Sequence, residues 1–212
     1  MRVLTRPVSA SLLLSMASVF VMSMASAQTM PEVPGTAAAS RPSKVYPISN
    51  HLPDLSFSLN ATEGKTITQD SVKGKVVMLF FGYASCPDIC PTTMAQLSDV
   101  MHQLGPRADD VQILFISVDP HRDTPDVLQA YVNAFNNGAI GLTGTEDQIA
   151  SVARRYRVAY QISKPKDASN PDSYEVMHGR GIYIFDKDGH ARFLASDSET
   201  PEQLTEKIRE LL

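Results

Sequence analysis

The sequence predicts an α/β domain in which a mixed sheet is covered by helices on both faces. Three observations carry this. Two uninterrupted apolar runs, KVVMLFFGY (75–83) and VQILFISV (111–118), read as central strands buried on both sides. Each is followed by a segment with helical spacing of its apolar residues. Late in the chain, GIYIFDKDGHARFLAS (181–196) reads as two strands joined by a turn at residues 186–189, and a last helical segment follows.

Taken in order, LSFSLN (55–60) alternates apolar and polar residues as a half-buried strand does. After the first central strand, TTMAQLSDVMHQL (92–104) places Met94, Leu97, Met101 and Leu104 on one helical face. TPDVLQAYVNAF (124–135) follows the second strand, with Thr124 as N-cap and Pro125 at the first helical position. TEDQIASVARRYRV (145–158) opens on Thr145, Glu146 and Asp147, residues suited to a helix N-terminus. TPEQLTEKIRELL (200–212) puts Leu204, Ile208 and Leu211 on one face. Strand and helix in alternation, then a hairpin and a closing helix, fit a thioredoxin-like fold best, a mixed central sheet flanked by helices.

The chain has 212 residues, 43% hydrophobic and 20% charged, enough for one domain with a real core. Its net charge of -4 argues against a nucleic-acid binder, which neutralises phosphates with a basic surface. Two cysteines exclude a small disulfide-stapled scaffold. Residues 1–27 read as an export signal. Arg2 and Arg6 precede the uncharged run SLLLSMASVFVMSM (11–24), and Ala25-Ser26-Ala27 forms a small-residue cleavage site before Gln28. The protein is therefore expected in the periplasm, tied to the membrane only if this segment stays uncleaved. Residues 28–50, rich in Pro, Ala, Ser and Thr, read as a flexible tether, which leaves 51–212 as the domain.

The chemistry concentrates in FFGYASCPDICPTT (80–93). Cys86 and Cys90 fall where a buried strand gives way to a helix. Four residues approximate one helical turn, so both sulfurs can face one side, with β-carbons roughly 5–6 Å apart. Free backbone amides at a helix start favour thiolate, and two adjacent thiolates form a soft site suited to Cu(I) or Zn(II). In an oxidising compartment the same pair can also close a disulfide. A purely structural disulfide would be a poor staple, because so short a loop removes little unfolded-state entropy. Asp88, between the cysteines, either adds negative charge near a metal or serves the helix start.

A third ligand has five histidine candidates. His51 lies in the entry segment, His102 well down the helix and His190 in the hairpin turn. His121 follows Asp119-Pro120 at a strand's C-terminal end, near the edge where the cysteines should lie. His178 precedes the strand that begins near Gly181, and thioredoxin-like topology brings its loop over the cysteine helix, so it is the best placed. The polar stretch 164–173 (KPKDASNPDS) reads as a mobile loop that lets His178 approach or withdraw. Asp119 is placed either to orient His178 or a bound water, or to form a turn with Pro120. Arg122 and Asp123 read as pairing or capping locally, Phe81 and Tyr83 as core or pocket wall, and Arg154, Arg155 and Arg157 as a solvated basic face.

A thiol-disulfide reductase that needs no metal is the main rival from another class. Such enzymes usually have two residues between their cysteines, and this chain has three. They also keep a proline where this chain reads Met177-His178-Gly179-Arg180-Gly181-Ile182. Both differences favour metal.

Together GYASCPDICPTT, SVDPHRDTP (117–125) and the late His178 resemble the Sco/SenC family of copper proteins. The resemblance implies a thioredoxin-like fold and binding of Cu(I) or Cu(II) through Cys86, Cys90 and His178. The pair is further expected to cycle with a disulfide, served by a thiol reductant. As client the resemblance implies the copper-bearing subunit of cytochrome c oxidase or another copper protein, helped by copper delivery, by reduction of its cysteines, or by both. One departure stands out: many members read Asp-His at the histidine, and this chain reads Met177-His178. The Met177 thioether either helps hold Cu(I) or, since neighbours in an extended segment face opposite sides, turns away and packs.

Overall fold

The computed structural model describes residues 45–48 and 51–212. Its strands and helices run β1 (Val45–Pro47), β2 (Ser58–Asn60), β3 (Thr66–Thr68), β4 (Val76–Gly82), α1 (Ile89–Leu104), β5 (Val111–Ser117) and α2 (Pro125–Asn133). They continue with β6 (Ile140–Leu142), α3 (Glu146–Arg155), β7 (Tyr160–Ile162), β8 (Val176–His178), β9 (Ile182–Phe185), β10 (Ala191–Ala195) and α4 (Pro201–Arg209). Among the described residues the main sheet has six strands in the order β1-β10-β9-β4-β5-β6. β4, β5 and β6 are parallel, and β9, β10 and β1 are antiparallel. This is the thioredoxin-like arrangement that the element order predicts.

The two apolar runs occupy the centre because nothing in them tolerates water. Every residue of β4 is buried, and β5 pairs with it from Val76↔Val111 to Gly82↔Ser117. Phe80, Phe81 and Phe115 are fully buried there, each contributing about 1.5–3 kcal/mol by leaving water. The helix starts follow local chemistry. The Thr124 hydroxyl accepts from Val127 N–H with Pro125 in the first turn, and Thr145 and Gln148 form a reciprocal capping box at α3.

Three differences from the sequence reading have physical causes. Val45–Pro47 lies within the expected tether, yet it pairs with Phe193–Ala195 and extends the sheet edge, so ordered structure begins before residue 51. Residues 1–44 and 49–50, with the export signal and the rest of the tether, lie outside the described residues. The 55–60 segment alternates as expected, with Leu55, Phe57 and Leu59 buried, but only its last three residues are strand, paired with β3 outside the main sheet. The segment around His178 forms a separate two-stranded ladder, β7 with β8, because three-residue strands carry too few apolar residues to signal their period.

Gly82, the last residue of β4, has a specific steric role. A Cβ there would lie 2.8 Å from a Phe115 ring carbon and 2.9 Å from the Cys90 sulfur. Gly82→Ala is expected to destabilise the reduced, metal-free protein by about 1–3 kcal/mol in denaturant unfolding, the usual cost of overpacking a core. An unchanged midpoint would show that the strand end has room to spare.

Candidate metal centre

The cysteine loop is shaped by what its prolines forbid. Cys86 precedes Pro87, which disfavours helical backbone at Cys86, so α1 begins only at Ile89. Cys90 is therefore in the first turn, and Cys86 stands in the loop before it rather than one helical turn away. The loop still brings the sulfurs together, because Cys86 N–H bonds the Tyr83 carbonyl at 3.2 Å and folds the chain back. The Cys86 sulfur then accepts from Cys90 N–H at 3.5 Å. Asp88 occupies the N-cap position, but its exposed side chain caps nothing. A sulfur serves where an oxygen usually does.

Cys90 is fully buried and Cys86 partly exposed, and both are free thiols. Burial drives the Cys86 thiol up, but hydrogen bonds from the backbone N–H of Asp88 and Cys90, from the Cys90 thiol and from the Tyr83 hydroxyl outweigh it. The net shift is downward. Cys90 shifts strongly upward, mainly through burial and further through its neighbour's charge. Burial, followed by the charge of Cys86, pushes the Tyr83 hydroxyl up to about 12, so it stays a donor.

His178 arrives at the end of β8. Its Nε2 lies 3.4 Å from the Cys90 sulfur. Its Nδ1 lies 2.9 Å from the Gly179 carbonyl, which can only accept, so Nδ1 carries the proton. Burial lowers the ring's pKa. A neutral ring protonated at Nδ1 turns the Nε2 lone pair toward the sulfurs, the form that binds metals. Phe80 and Tyr83 present their rings edge-on to the imidazole, with centroids 6.1 and 5.8 Å away.

The donor atoms of Cys86, Cys90 and His178 all lie within 4.8 Å of one another. The other histidines stand elsewhere. His102 is exposed on α1, and His121 faces Asp172 at 3.4 Å. His190 sits with Asp186 and Asp188 in the β9–β10 turn, where the Asp186 carboxylate is already taken by two backbone N–H groups and Arg192. Met177 is 66% exposed on the opposite face of its strand from His178, so it neither joins the group nor packs.

Two expectations hold in one part and fail in the other. Of the two roles expected of Asp119, the turn with Pro120 holds, its carbonyl accepting from Asp123 N–H at 3.0 Å, but its side chain does not orient His178, whose Nδ1 lies against the Gly179 carbonyl. Instead Asp119 accepts from Arg122 and, at 2.6 Å, from the Tyr174 hydroxyl. Arg122 pairs locally as expected, with Asp119, whereas Asp123 does not pair with it. Asp123 is fully buried and accepts from Ser117 Oγ at 2.6 Å and from Ala84 N–H at 2.9 Å, which anchors the strand end before Cys86. Phe81 is core and Tyr83 forms pocket wall, as expected. The sequence reading missed the Tyr83 bond to Cys86 and the role of Tyr174, since spacing does not show which hydroxyl reaches a distant partner.

The unequal thiols predict selective chemistry. With the reduced, metal-free protein near pH 8, iodoacetamide is expected to alkylate Cys86 at least about tenfold faster than Cys90, because only thiolate reacts. Equal rates by peptide mass mapping would contradict the assigned environments.

The SCO1/SenC family model matches residues 49–212. The chain is similar to "Protein SCO2, mitochondrial" of Saccharomyces cerevisiae, 39% identical over 155 residues, 73% of this chain and 51% of that protein. It thus spans about half the length of that relative. Among solved structures it is similar to Bradyrhizobium japonicum ScoI with copper bound, at 37% identity and TM-score 0.68, covering 75% of this chain and 99% of that one. It is also similar to Arabidopsis thaliana ScoI with copper bound, at 34% identity and TM-score 0.67, covering 74% and 96%.

Proposed function

The chain belongs to the SCO1/SenC family, and on that premise we propose that it is an exported copper metallochaperone that holds copper through Cys86, Cys90 and His178. Its client on this reading is the copper-bearing subunit of cytochrome c oxidase, whose binuclear copper site it helps to mature. The observation that carries the reading is the convergence of two sulfurs and one imidazole nitrogen within 4.8 Å. The copper-bound relatives supply the choice of metal.

The donor set suits the cargo. Two thiolates and a neutral imidazole make a three-coordinate site for Cu(I), and Cu(II) takes a further ligand such as water. A partly exposed Cys86 gives a partner's thiol access to the metal, while Cys90 and His178 hold it from below. Binding must drive the proton from Cys90, whose burial favours the thiol, so affinity for copper rises with pH. Exchange with a client's disulfide passes two electrons from the Cys86–Cys90 dithiol to the client, which leaves with two thiols, and closes a Cys86–Cys90 disulfide that offers no thiolate donor. Copper release and thiol redox state are therefore coupled, and a thiol reductant restores the binding form.

The metal-independent reductase remains the second reading, favoured by one observation: the pair joins an activated, accessible thiol to a buried one. Insulin reduction separates the two. Fast turnover by metal-free protein, unaffected by His178→Ala, would select the enzyme.

Copper titration of reduced protein tests the main reading. His178→Ala is expected to lower Cu(II) affinity by about 100-fold or more, since even an outer partner of a ligand is worth about 10–100-fold. Unchanged affinity and an unchanged visible spectrum would overturn the ligand assignment. Export rests on residues 1–27, whose charged start, apolar run and Ala-Ser-Ala ending support cleavage and a periplasmic location. Among the described residues no helix is long and apolar enough to cross a membrane. Terminal sequencing of protein from an exporting host is expected to begin at Gln28, and an intact Met1 would contradict cleavage.

A further inference from the structure

We propose that Arg122 and Tyr174, anchored on the buried Asp119, form a latch that holds His178 at the cysteine pair. The proposal rests on the copper reading above and adds to it the residues that position the histidine.

The need for a latch follows from topology. Among the described residues, β8 pairs with β7 alone, and neither strand joins the main sheet. No sheet ladder therefore holds His178 itself against β4 and α1; the chain joins the main sheet only at Ile182, opposite Phe80, and side chains supply the hold upstream. In the extended run 174–178, Tyr174, Val176 and His178 turn inward, and Glu175 and Met177 are exposed. Tyr174 thus shares the inner face with His178, one strand repeat and then another upstream.

The loop after β5 grips that face. The Asp119 side chain is fully buried and holds the Tyr174 hydroxyl at 2.6 Å and the Arg122 Nε. Arg122 Nη1 donates to the Asp172 and Tyr174 carbonyls at 3.0 and 3.2 Å. Its guanidinium carbon lies 3.9 Å from the Tyr174 ring centroid, a cation–π stack on an aromatic face. The hairpin is thereby bound through a side-chain hydroxyl, a ring and two backbone carbonyls.

The same loop also holds the cysteines. Ser117 Oγ donates to Asp123 and accepts from Asp119 N–H, and Asp123 takes Ala84 N–H, two residues before Cys86. Residues 117–123 therefore grip the sulfur half of the donor set through Asp123 and the imidazole half through Asp119 and Arg122. The spacing between the halves is set by one short, buried network rather than by the hairpin itself. Arginine is required for the part, because a lysine offers neither the planar fork nor the stacking surface.

Tyr174 and Arg122 are positioning residues on this account, and their effect must pass through His178. The test titrates Cu(II) into the reduced full chain for the parent, Tyr174→Ala, His178→Ala and the double variant, with thermal unfolding of the metal-free forms as a check on folding. Tyr174→Ala is expected to weaken copper binding about 10–100-fold and to reduce the imidazole nitrogen coupling in the Cu(II) paramagnetic resonance spectrum. In the His178→Ala background it is expected to cost nothing further. Arg122→Lys, which keeps the charge facing Asp119 but not the fork or the stack, is expected to behave as Tyr174→Ala does, and it decides the matter if that variant fails to fold. Parent-like affinity in both variants, or an equal loss with and without His178, would overturn the latch. Parent-like binding by His178→Ala would instead remove His178 from the proposed ligand set, and the latch with it.

Discussion

The Cys90 sulfur and His178 Nε2 meet at 3.4 Å although 88 residues separate them, and the rest of the site is arranged around that contact. As a thiol, Cys90 packs in the core like a small apolar side chain, and only its thiolate needs a compensating partner. The neutral imidazole turns its Nε2 toward that sulfur, so two donor atoms face one space. Below, Gly82 keeps the strand end bare, because any side chain there would strike the sulfur. The contact is thus the point where the sheet, the cysteine helix and the His178 hairpin become one structure.

The two cysteines serve that arrangement differently. Cys86 stands over the open end of α1, where amides that have no partner within the helix stabilise its thiolate. Cys90 lies in the core, where burial opposes charge. A cation held by both sulfurs would compensate that burial and favour the Cys90 thiolate. The same asymmetry gives the dithiol an activated, partly exposed member and a buried one, so the proposed copper handling and thiol exchange would share these atoms.

Much of this was legible in the sequence. Seven consecutive buried residues announce β4, and Cys86 and Cys90 stand at its end where a strand meets a helix. His178 is located by its place ahead of β9 and by the resemblance that the DPHRDTP segment completes. What spacing does not show is contact across the fold. Asp119 and Asp123 look alike in sequence, four residues apart in one loop, yet one holds the His178 hairpin and the other holds the backbone before Cys86. The β7–β8 ladder was invisible for the same reason: it is fixed by Tyr174, Arg122 and its own short pairing rather than by an apolar period.

Two sulfurs and one imidazole must bind the same ion if the proposed site is to hold copper. X-ray absorption at the copper edge of the reduced, copper(I)-loaded chain measures that directly. The geometry predicts a shell of two sulfurs and one nitrogen, with the multiple scattering that marks an imidazole ring. A shell of sulfur alone, or one with no imidazole signature, would contradict it.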